Sequence, residues 1–174
     1  MNISIYATVD FWPKGNAISD KELYTHFFDF TNTEELKKHV DADGLLAPLN
    51  GFMSLEYNGA ILFQKLFSSL ENVWDAHKSA LEQYLIEGSA IVEDPEMPGV
   101  TAYTLTNHLA NDQLIMVTEP SSKQTLAISK ADFFDTMKQA LSDFINAQIA
   151  ITTDEDLRDM LQEQLDEVAA LTAE

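Results

Sequence analysis

The sequence has no cysteine, a single arginine (Arg158) and only six glycines, and each shortage closes off a kind of chemistry. Without cysteine there is no disulfide framework, no thiol nucleophile and no thiolate zinc site. Arginine is the side chain suited to a two-pronged grip on phosphate, and binding by counterion release needs several cationic contacts. Direct nucleic-acid binding is therefore not expected, nor is attraction to an anionic membrane surface. The glycines form no GxxxxGK[ST], GxGxxG or GxSxG pattern, so no phosphate cradle or nucleophile elbow is visible. No apolar run approaches the roughly 18 residues of a membrane-spanning helix. The opening MNISIYATVD lacks a basic segment and a cleavage site, so no secretory signal is expected. Together with the lack of cysteine, this makes the cytoplasm the expected location.

What is abundant is acid. Asp and Glu number 29 against 10 Lys and Arg, for a net charge of −19. At 45% hydrophobic residues with ten Phe, the chain can still bury a sizeable core and is not compositionally disordered. An acidic surface favours solubility, which is the simplest account of the charge. The best specific alternative is a field that attracts a basic protein partner.

Hydrophobic periodicity gives an element order. NISIYATVD alternates, with Ile3, Ile5, Ala7 and Val9 on one side, and predicts an opening strand that Pro13 and Gly15 stop. KELYTHFFDF offers aromatics on both sides if extended and is expected to be a strand buried on at least one face. A short helix is expected from Thr33 to about Val40, ended by a turn at Gly44. GFMSLEYNGAILF is the clearest hairpin, because Asn58-Gly59 accepts positive φ at both turn positions. Ser68 and Glu71 suggest a capping box for a helix whose stripe is Leu70, Val73, Trp74, His77, Ala80, Leu81, Tyr84 and Leu85, with Gly88 at its end. EDPEMPG is expected to be a loop. VTAYTLTNHL, QLIMVTE and QTLAIS then predict three antiparallel strands. Ser129 with Asp132 caps a second long helix, and a terminal helix starts at Thr153 with the stripe Leu157, Met160, Leu161, Leu165, Val168 and Leu171. The expected class is α+β: an antiparallel sheet with helices packed on one face and a C-terminal αα-hairpin. Residues 1–174 are expected to form a single domain, with a core over about 1–150 and an acidic terminal helix over about 153–172.

The motifs that carry catalysis or metal binding are scarce. The histidines are His26, His39, His77 and His108; none pairs at i, i+4, and no HExxH occurs. His77 falls on an apolar stripe, where a buried core role is expected. DADG fails as a calcium loop, because placing Asp41 and Asp43 at loop positions three and five puts Asn50 at the twelfth, where Glu is needed. No cofactor or metal is expected.

Two features suit binding. Phe11 and Trp12 leave the first strand into a Pro-Gly turn, and an exposed Trp12 would be an anchor. The terminal helix carries Asp154, Glu155, Asp156, Asp159, Glu163, Asp166 and Glu167 on its polar face. The first-turn acids suit the helix dipole, whereas Asp166, Glu167 and Glu174 near the far end are expected to oppose it. Acid placed against local preference invites a functional explanation.

The small size, strong acidity and missing cysteine are shared, in composition and not in motif, by immunity and antitoxin proteins and by nucleic-acid mimics. The expected function is thus a small acidic binding protein, of the immunity type, that neutralises a basic partner such as a nuclease toxin. Its expected contacts are Trp12, Asp94, Glu96, Asp156, Asp159, Glu163, Asp166 and Glu167, on a monomer or homodimer. Two alternatives are an enzyme or small-molecule binder using His108, Tyr103, Glu56 or His77, and an oligomeric structural subunit using the αα-hairpin.

Overall fold

The computed structural model describes residues 1–8, 20–41, 45–47, 49–94, 96–97, 99–109, 112–118 and 125–171. Two four-stranded antiparallel sheets form its frame. The first has the order β2-β1-β3-β4, from β1 (Asn2–Thr8), β2 (Phe28–Asp29), β3 (Asn50–Tyr57) and β4 (Ala60–Phe67). The second runs in chain order, from β5 (Ser89–Glu93) and β6 (Thr101–Asn107) to β7 (Gln113–Thr118) and β8 (Thr125–Ser129). Helices α1 (Asp20–His26) and α2 (Thr33–Leu36) belong to the first half; α3 (Leu70–Glu87) links the sheets. After β8, α4 (Lys130–Ile149) and α5 (Glu155–Ala170) pair as a C-terminal hairpin, tied at its open end by Lys138 Nζ donating to the Ala169 carbonyl at 3.0 Å. The chain is α+β, as its pattern predicts, but the strands divide between two sheets.

Local chemistry explains most elements. Asn58 and Gly59 take φ of 50° and 79°, the pair of positive values that a type I′ turn between β3 and β4 requires. Gly88 ends α3 at φ 70° in the left-handed region, and its N–H donates to the Tyr84 carbonyl. At Gly51 a Cβ would lie 2.0 Å from Leu70 Cδ2, so the first turn of α3 can approach β3 only because that position is glycine. Ser129 Oγ accepts from Asp132 N–H and starts α4.

Four expectations need correction. Residues 21–30 are not one strand: α1 ends at His26 and only Phe28–Asp29 pairs with β1. Lys21 and Glu22 favour helix, and Thr25 Oγ1 donates to the Lys21 carbonyl one turn back. Strand β5 was hidden between a helix cap and a proline loop, although Ala90 and Val92 are buried while Ile91 and Glu93 are exposed. The cap of α3 is Ser69, which accepts from Asn72 N–H, and not Ser68. Helix α5 is capped by Asp154, one residue after Thr153. The turns expected at Pro13, Gly15 and Gly44 lie outside the described residues.

The core is continuous from one sheet to the other. Phe30 stacks on Phe144 of α4 at 4.4 Å between ring centroids, and Phe63 of β4 meets Tyr103 of β6 edge-on at 5.9 Å. Trp74 Nε1–H donates to the buried Leu141 carbonyl at 3.1 Å, which fixes α3 against α4. This anchoring sets the relative placement of α3 and the hairpin, and so the groove between them.

Candidate protein-binding surface

Helix α5 divides sharply into two sides. Leu161, Val168 and Leu171 are buried and Leu157 and Leu165 half-buried against the core. Glu155, Asp156, Asp159, Glu163, Asp166 and Glu167 are all exposed. At 3.6 residues per turn these six fall within an arc of about 120°, over a length of about 18 Å. Asp156, Asp159 and Glu163 make no ion pair among the described residues. Asp166 takes a hydrogen bond from Gln162 Nε2 at 3.1 Å.

Glu167 is the exception. Its carboxylate lies 3.0 Å from Lys78 Nζ, which also reaches Glu82 of α3 at 2.6 Å. Burial pulls the Lys78 ammonium down, but its bonds to Glu82 and Glu167 outweigh that and hold its pKa above the usual lysine value. Lys78 thereby clamps α5 to α3, and its charge is spent inside the molecule.

Beside the acidic face lies a groove of about 340 Å³ between α3, the α4–α5 hairpin and residues 45–46. Its lining includes Trp74, Phe144, Ile151 and Leu161, with Glu71 and Asp75 on the α3 side. Glu71 and Asp75 stand one turn apart and are exposed. Glu71 takes a hydrogen bond from Ser69 Oγ at 3.1 Å, and Asp75 has no ion-pair partner among the described residues. Sequence reasoning missed this side. Met160, counted there on the buried stripe, is 48% exposed at the groove's lip, as is Leu45 at 43%. The available signal was the spacing of Glu71 and Asp75 on the solvent face of α3.

The other expected contacts fall elsewhere. Asp94 is 4% exposed and ion-paired with Lys65 of β4, while its Oδ1 accepts from Glu96 N–H at 2.9 Å. Glu96 is half-buried, and its carboxylate accepts from Ser68 N–H and Oγ at 2.7 Å each. Together they tie β4 of the first sheet to the loop after β5 of the second. Asp94 is a buried structural carboxylate and not a surface contact, because Lys65 draws it inward. Trp12 lies outside the described residues.

The residues considered for an enzyme are only partly assembled. His77 and Tyr103 are 5.8 Å apart between ring centroids but are 2% and 1% exposed. His77 Nδ1–H donates to the Val73 carbonyl at 2.7 Å, and Nε2 has no partner. Burial, only partly offset by that bond, lowers the His77 pKa to about 4. Burial also raises the Tyr103 phenol. The cavity that touches His77 holds only about 10 Å³ between Ile5, Met53, Trp74 and their neighbours, too little for a substrate. His108 follows β6, about 16 Å of strand beyond Tyr103.

Comparison with models of protein families, with curated proteins and with solved structures finds no match to this chain.

Proposed function

We propose that this chain is an acidic binding protein that engages a basic protein partner through α5 and the groove beside it. One observation carries the proposal: exposed carboxylates occupy a whole face of α5, and the cations beside that helix are committed elsewhere, Lys78 to Glu82 and Glu167, Arg158 to the Thr152 carbonyl and Lys138 to the Ala169 carbonyl. Such a face speeds encounter with a positive surface and repels wrong partners. Carboxylates in rows also stand where phosphates would in a basic nucleic-acid cleft, which favours an inhibitor of the immunity type acting on a nuclease. The absence of cysteine suits a reducing compartment, and we place the activity in the cytoplasm.

The test is affinity capture at low salt from a lysate of the source cells, using tagged wild type and Asp159→Lys/Glu163→Lys in parallel. A basic protein retained by the wild type and lost by the variant supports the proposal. Identical capture by both proteins refutes it, because the face would then contribute nothing.

A further inference from the structure

We infer that the groove between α3 and the α4–α5 hairpin seats the apolar side of a basic amphipathic helix supplied by the partner. This rests on the reading of the chain as a binder of basic protein, and adds where and in what conformation the partner docks.

The groove combines an apolar floor with apolar lips. Trp74, Ile151 and Leu161 are buried beneath it, whereas Leu45 and Met160 are about half exposed above it. Exposed apolar groups that flank a cavity, and do not stand alone, mark a place where a partner buries area. A methionine at such a lip adapts its shape to different apolar neighbours.

Carboxylates stand on both helical rims, and the nearby Lys78 ammonium, 6.0 Å from the centre of the Trp74 ring, is already paired with Glu82 and Glu167. On α3, Glu71 and Asp75 are one turn apart; on α5, Asp156 and Glu163 are two turns apart and adjoin Met160 on the wheel. An amphipathic helix with apolar residues at i, i+3, i+4 and i+7 and Lys or Arg alongside can place its cations one or two turns apart on either side of its apolar stripe. An extended strand would need a free backbone edge to pair with. The long walls here are helices, whose backbone groups are bonded within themselves. A second copy of this chain would bring its own share of the −19 charge to the same rims.

The inference is tested with the full chain and two labelled peptides of about 15 residues, both made of Leu and Lys in identical proportion. In one the leucines lie on a single helical face; in the other they are spread around it. Fluorescence anisotropy should show the one-faced peptide binding at least roughly tenfold more tightly, the effect of burying one or two large apolar side chains. Leu45→Ser/Met160→Ser changes two exposed positions without altering charge and should abolish that advantage, with circular dichroism unchanged. Asp159→Lys/Glu163→Lys should weaken both peptides together. Equal, salt-sensitive binding of both peptides to the wild type would overturn the groove as the docking site while leaving the acidic face in place. An advantage that survives Leu45→Ser/Met160→Ser would also overturn it. No binding of either peptide would overturn both the groove and the acidic-face reading.

Discussion

His77 makes the stability of this protein depend on pH. Its ordinary pKa of 6.5 falls to about 4 in the fold, because the charged ring would be stranded in an apolar site with Nε2 unpaired. Between those values the unfolded chain binds a proton that the folded chain refuses. The folded state is therefore at full strength above pH 6.5 and loses stability as the pH falls towards 4. At 1.36 kcal/mol per pH unit the whole window is worth roughly 3 kcal/mol, of which about 2 is lost by pH 5. His77→Leu keeps an apolar side chain on the buried face of α3 and removes the titrating group. Urea unfolding followed by circular dichroism should be run on both proteins at pH 7.5 and pH 5. Every other ionisable group is common to the two proteins, so the difference between their pH responses isolates His77. The wild type should lose about 2 kcal/mol more than the variant over that interval. Parallel losses in the two proteins would show that His77 is not held neutral by burial, and the reasoning would fail.

Other perturbations test the frame on which the surface is built. Asp94→Ala leaves the Lys65 ammonium partly buried without its partner and should cost about 2–4 kcal/mol in chemical unfolding, while Lys65→Met/Asp94→Leu should recover most of that loss. Ser69→Ala should cost about 1 kcal/mol through the lost cap of α3, whichever residue follows Gly88 at the other end. A Ser69→Ala variant as stable as the wild type would return the cap to Ser68.

Local signals recover much of this fold. The Asn58-Gly59 turn, the stripe and glycine cap of α3, the Ser129 cap of α4 and strands β6 to β8 all express chemistry within a few residues, where sequence reasoning is strong. Tertiary choices are less legible. In residues 20–30 the aromatics pointed to an extended buried segment. Yet Phe27 is buried at the helix-to-strand junction and Phe30 in the turn after β2, Phe27 meeting Phe52 edge-on and Phe30 stacking on Phe144. Nothing local says that β4 and β5 belong to different sheets, since that depends on where α3 carries the chain. The same limit governs the surface. The acidic face of α5 follows from spacing alone, whereas the groove needs α3 and the hairpin brought together. The inward turn of Asp94 depends on Lys65, 29 positions away in the chain. Met160 sits at the edge of the stripe, where periodicity does not separate a buried residue from a lip.

The central claim is that carboxylates of α5 hold a basic protein. The most direct measurement is a calorimetric titration of the captured partner, once purified, at about 50 mM and about 500 mM salt, where screening differs strongly. The dissociation constant should rise at least roughly tenfold with salt, and Asp159→Lys/Glu163→Lys should bind weakly at both concentrations. An affinity that is unchanged by salt and by the reversed charges would contradict the claim.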